Sequence, residues 1–281
     1  MNRITNSDTP VSIISCFFTL MSGFINGSSI SVVSEYGMSI SESFFSGIYC
    51  SGFGGAIFKR GGSVSIVKTC FYNCSAGRIG ESNGNSFRIE NCIGSFEMSA
   101  ISRCSYADNG CGDSPSAIFN AQYTEKSINF SYCVSYAGPC STSLSGPSTV
   151  QGSEYINSYM NQGHGILELW RTNYQIKNAN LIKCSNLNYY LYINTATLYL
   201  INTIFYQNTA TTVEKFAGVT GNVQYTDCYT DINTIPVNLV SIPQTINMGY
   251  DKNVHCSTYT NTAQIRPRFR IAMVLTQILL F

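Results

Sequence analysis

Apolar and polar residues alternate in short bursts along most of this chain, and the bursts recur. Residues 64–76 read VSIVKTCFYNCSA and residues 198–210 read LYLINTIFYQNTA. Each carries apolar residues at its first and third positions, an apolar pair at the seventh and eighth, and a small or polar run closing on Ala. Residues 38–45 (MSISESFF) and 11–18 (VSIISCFF) repeat that layout. Aligned on the first apolar position, the copies begin at Val11, Met38, Val64, Phe87, Ile128, Ser148, Tyr174, Leu198 and Val223, with steps of 27, 26, 23, 41, 20, 26, 24 and 25. The step of 41 is close to two coils, with room for a degenerate copy around Met98–Tyr106. A second short strand is expected seven to ten residues ahead of each copy, marked by Ser29–Ser31, Ala56–Phe58, Ile79, Ala117–Phe119, Ile166–Leu167, Tyr190–Tyr192 and Phe216.

A repeat of this size cannot bury its apolar face alone, so neighbouring copies must stack into a solenoid. Alternation such as Val64-Ser65-Ile66 sends side chains to opposite faces of a strand. The inward set is expected to be apolar and the outward set Ser, Lys, Thr, Asn and Tyr, with Gly and Asn at the corners. The expected fold is all-β: a parallel β-helix of about nine coils over residues 11–232, a rod of ~40 Å at the spacing of paired strands. A leucine-rich repeat needs a Leu-x-x-Leu-x-Leu frame that is not present, and a calcium-binding β-roll needs repeated Gly-Gly-x-Gly-x-Asp. Residues 233–270 hold Pro236, Pro243 and Pro267 and lose the coil pattern, which predicts an irregular cap or linker. Residues 271–281 form a short apolar tail behind Arg266, Arg268 and Arg270. At half the length of a membrane span it reads as a truncated anchor or a simple tail, through which the chain could associate with a membrane. Residues 11–25 serve equally as a first coil or as the apolar stretch of a signal peptide.

Composition narrows the partners. Charged residues are 11% of the chain and the net charge is +1, so there is no basic run to follow a phosphate backbone, and nucleic acid is not expected as a partner. Twelve cysteines tilt the chain toward an oxidising compartment. Cys16, Cys70, Cys92, Cys133, Cys184 and Cys228 recur at similar phases. They read either as buried free thiols or as a ladder of disulfides between adjacent coils, whose spacing suits the bond.

Gly54-Gly55-Ala56-Ile57 followed by Phe71-Tyr72-Asn73 resembles the paired GGAI and FxxN motifs of the polymorphic outer membrane protein repeat family. The resemblance is clean over residues 54–76 and partial elsewhere. Ser116-Ala117-Ile118-Phe119 lacks the glycines, and Phe205-Tyr206-Gln207-Asn208 shifts the Asn by one. It implies a right-handed β-helix, surface exposure and adhesion.

Candidate chemistry is sparse. His164 and His255 are the two histidines, and no Cys-x-x-Cys occurs, so neither a metal nor another cofactor is expected. Gly163-His164-Gly165 resembles a motif of polygalacturonases, whose fold is the same. That chemistry needs paired carboxylates, and the neighbouring coils offer Glu154 and Glu168 alone. No catalytic residue is assigned. Tyr189, Tyr190, Tyr192, Tyr199 and Tyr206 crowd two adjacent coils and are the candidate binding residues. The functional expectation is a secreted or cell-surface β-helix that binds a protein or glycan, or serves display, without catalysis. A pectinase-like enzyme and a truncated inactive copy are the alternatives.

Overall fold

The computed structural model describes residues 4–5, 8–23, 26–77, 84–104, 116–119, 121–135, 141–144, 148–160, 167–170, 173–186, 189–194, 197–209, 212–216, 222–231, 240–241 and 256. They form a parallel β-helix. Three long sheets run its length. Sheet A has nine strands from Ile4–Thr5 to Thr212–Phe216, sheet B nine from Val11–Ile14 to Asn222–Thr226, and sheet C ten from Phe17–Thr19 to Val240–Ser241. The chain passes through A, B and C in turn, so each strand pairs with its counterparts one coil before and one coil after. Pairing reaches Ile4 at one end and Val240 at the other, beyond the predicted 11–232. The stretch at 11–25 supplies the strands Val11–Ile14, Phe17–Thr19 and Ser22–Gly23.

The register corrects two of the predicted starts. Val64 pairs with Gly94, and Gly94 with Tyr123. Sheet B therefore advances from Val64 by 30 residues, then by 29, and the predicted step of 41 disappears. Phe87 belongs to sheet A, in line with Ile57 and Ser116. Ile128 sits just before the sheet C strand Asn129–Ser131. Met98 is a corner rather than the start of a degenerate coil, and Ala100–Ser102 is a sheet C strand. A lone apolar residue signals an inward position but not which of three sheets it belongs to. Ile79 and Ile166 lie outside the described residues.

Sheet A follows a glycine corner, and sheet C lies between two left-handed corners. The turn from B to C places a residue at positive φ in each of nine coils, from Ser15 to Asp227. The turn leaving C does the same five residues later, as in Lys68 and Asn73, or Asn202 and Gln207. Non-glycine residues pay for this conformation with ~1–2 kcal/mol each. The strain is offset because the corner N–H groups from Ser15 to Asn202 meet a carbonyl of the next coil, as Ser15 N does with Ser41 O at 3.0 Å and Asn202 N with Thr226 O at 2.8 Å, while Gln207 N donates to Asp231 Oδ2 at 2.7 Å. The residue after the B-to-C corner is Ser or Thr in five of the nine coils, at Ser43, Thr69, Ser99, Ser153 and Thr203. Ser43 Oγ donates to Ser41 O at 2.8 Å, and Ser99 Oγ to Glu97 O at 2.7 Å while accepting from Thr69 N at 2.9 Å. Glycine opens sheet A at Gly27, Gly54 and Gly84, with φ of 61°, 62° and 63°. A Cβ on Gly54 would stand 2.1 Å from Ile57 O and 2.9 Å from Arg88 N. Gly54→Ala is expected to lower stability by about 2–3 kcal/mol, from strain and clash together, read as a fall in thermal midpoint.

The core is a set of straight files. On sheet C, Phe18, Phe45 and Phe71 stack face to face on successive coils, with centroids 4.7 and 5.0 Å apart, and Phe130 stacks on Tyr155 at 5.0 Å. Sheet B contributes Ile13, Ile40, Ile66 and Phe96 to the same interior. Two charged residues break the expected apolar inward set. Lys59 lies in file between Val32 and Ile89 and is fully buried. Its Nζ donates to Ser34 O at 2.7 Å, to Gly61 O and, at 3.4 Å, to Arg60 O. The long stem fills an apolar site while three carbonyls at the coil's corner take the charge. Glu125 lies in file between Phe96 and Val150, where Tyr155 Oη donates to it at 3.4 Å.

Candidate functional site

Sheet B presents the most regular outer surface. Its outward positions pair strictly in register: Ser12 with Ser39, Ser39 with Ser65, Ser65 with Ser95, Ser95 with Thr124, and Thr124 with Thr149. The file continues through Gln175 and Tyr199 to Gln224. No charged residue interrupts these nine positions. At ~4.8 Å per coil the file spans ~38 Å. It forms because each sheet B strand keeps a period of two, so the same alternation that turns Ile40 and Ile66 inward turns Ser39 and Ser65 outward. Ser95 Oγ donates to Ser65 Oγ at 3.4 Å, a bond between hydroxyls on adjacent coils of the file. A second outward file alongside carries Glu97, Lys126 and Lys177, charges of both signs.

The five candidate tyrosines are divided among the three sheets. Tyr189, Tyr190 and Tyr192 lie on the sheet A strand Tyr189–Asn194. Tyr199 belongs to the polar file of sheet B and is 37% exposed. Tyr206 is on sheet C, 40% exposed, with its Oη accepting from Gln207 Nε2 at 3.2 Å. Closeness in sequence placed them on adjacent coils but not on one face. Sequence reasoning missed the Ser/Thr file. Its signal was the small polar residue at the second position of each copy, which reads as filler until the register is known.

The carboxylates named for sugar chemistry are separated by the same topology: Glu154 is on sheet C and Glu168 on sheet A. Gly163-His164-Gly165 and His255 lie outside the described residues, as does the apolar tail. Among the described residues no group of three His, Cys, Asp or Glu side chains could hold a metal ion, and no helix is long and apolar enough to cross a membrane.

A disulfide links Cys70 on sheet C to Cys256, 186 residues later, with Cα atoms 5.4 Å apart. It joins the C-terminal segment to the outer side of the third coil, where Phe44, Cys70, Ala100 and Cys256 pack together. The disulfide ladder is not formed among the described residues, because no disulfide joins Cys16, Cys92, Cys133, Cys184 or Cys228. They do not share one phase. Cys16 and Cys228 follow the B-to-C corner, Cys133 and Cys184 follow the corner leaving C, and Cys92 precedes a sheet B strand. Cys74, Cys104 and Cys133 do stack at one corner. Each thiol donates to a carbonyl of the preceding coil, Cys104 Sγ to Phe71 O at 3.4 Å and Cys133 Sγ to Ile101 O at 3.6 Å. Ser158 holds the same corner one coil further on, where its Oγ donates to Ile156 O of its own coil at 3.2 Å.

Burial pushes the Cys184 thiol up to about 12 and the Cys92 thiol up to about 11. In the unfolded chain both ionise near the ordinary 9. Their contribution to stability is therefore complete below pH 9 and lost as pH climbs toward 11–12. Lys59 acts in the opposite sense, because burial lowers its pKa, so its cost fades as pH rises toward 10.5. Chemical unfolding across this range should show stability falling above pH 9, with a shallower fall in Cys184→Ser.

Searches against family models, curated proteins and solved structures return no match for this chain.

Proposed function

We propose that this chain is a non-catalytic β-helix, secreted or displayed at the cell surface, that presents a rigid face to a protein or glycan ligand. The observation that carries this reading is the uninterrupted outward file of sheet B, nine uncharged polar positions held in register by parallel pairing. A face that repeats every coil suits an extended partner. The division of Glu154 and Glu168 between two sheets supports binding without hydrolysis, and the apolar segment 271–281 offers a contact with a membrane. An epitope tag inserted before Arg266 tests the placement by antibody staining. Signal on intact cells or in the medium is the expected result. Signal confined to permeabilised cells contradicts it.

A further inference from the structure

We infer that the ligand of sheet B is an extended, neutral β-linked polysaccharide lying along the solenoid axis, an assignment that rests on the surface-binding reading above. Hydroxyl groups both donate and accept, and each coil sets one against solvent at a fixed step: Ser39, Ser65, Ser95, Thr124 and Thr149 in turn. A polyol polymer offers the same dual groups at a regular repeat. Straight files meet it residue after residue without either partner bending. Near the end of the file Tyr199 stands 37% exposed between Gln175 and Gln224, an aromatic face on which a pyranose ring stacks, flanked by amides that take its hydroxyls.

The alternatives fit less well. A stable protein interface needs a central apolar or aromatic anchor in a desolvated pocket. The five hydroxyl positions contain none. The exposed apolar side chains of sheet B, Ile14 in the first coil and Ile93 in the fourth, stand singly on opposite sides of the file and away from Tyr199, and Phe17 and Leu20 lie beyond the sheet. A polyanion would need a cationic stripe. The neighbouring file instead mixes Glu97 with Lys126 and Lys177.

The test is co-sedimentation of the full chain with washed cellulose and chitin particles. Two variants probe the face: Ser65→Arg with Thr124→Arg, and Tyr199→Ala. Thr19→Arg on sheet C is the control. All four positions are at least partly exposed and outward, so folding is preserved, and circular dichroism checks it. The parent is expected in the pellet with at least one of the two polymers. The double arginine variant should lower the bound fraction tenfold or more and Tyr199→Ala severalfold, with Thr19→Arg unchanged. Failure of a folded parent to pellet with either polymer overturns the polysaccharide assignment, as does binding that ignores the double variant. Staining of intact cells decides the surface reading separately. Surface staining with no sedimentation removes the ligand class alone, whereas staining only after permeabilisation removes both.

Discussion

Phe71→Ala should cost about 3–5 kcal/mol of stability, the range for emptying a fully buried aromatic site. Phe71 is completely buried in the interior file of sheet C. It stacks on Phe45 at 5.0 Å and meets Phe87 at 5.5 Å and Phe96 at 6.4 Å, so one ring joins the aromatic contributions of all three sheets. In a solenoid each coil contacts mainly its neighbours, so a hole in the third coil weakens the coupling between the coils on either side. Urea unfolding should show the loss as a lower midpoint and a broader or divided transition. Phe17→Ala, on the same sheet but 47% exposed, should change stability by less than about 1 kcal/mol.

Cys256→Ser is the second large effect. The bond to Cys70 closes a loop of 186 residues, and in the chain-entropy view that closure is worth about 5 kcal/mol through the unfolded state. The substitution should lower stability by about 4–5 kcal/mol. Reducing the parent should reproduce the loss, whereas the variant should be indifferent to reductant. Because Cys70 neighbours Phe71, the two losses should not add. An equal response of parent and variant to reductant would mean that this pair carries no stability of its own.

The parallel β-helix was legible because its evidence is repetition, and repetition needs no knowledge of contacts. The glycine of the Gly54-Gly55-Ala56-Ile57 motif was legible too, since a residue without a Cβ marks a corner whatever surrounds it. Assignment to sheets was less so. Phe87 and Ile128 carry the right residue type for an inward file, and nothing local separates a sheet A phenylalanine from a sheet B one. Coils of 29 and 30 residues among shorter ones hid the offset. Lys59 and Glu125 were invisible as core residues, because burial of their charges depends on carbonyls and a tyrosine supplied by other parts of the fold. The partner of Cys70 lies 186 residues away, beyond any pattern of spacing. The binding face was half legible. Tyr199 could be picked out as an aromatic, but the Ser/Thr file needed the register that makes one surface of it.

The straightness of that file is the claim from which the binding reading follows, and a distance measured along it tests the claim most directly. Spin labels on Ser39→Cys and Thr149→Cys stand four coils apart on sheet B, at Ser39, Ser65, Ser95, Thr124 and Thr149 in turn. Double electron–electron resonance should return one narrow distribution near ~20 Å, broadened only by the label arms. A distribution centred beyond ~30 Å, or spread without a maximum, would contradict the register and with it the continuous face.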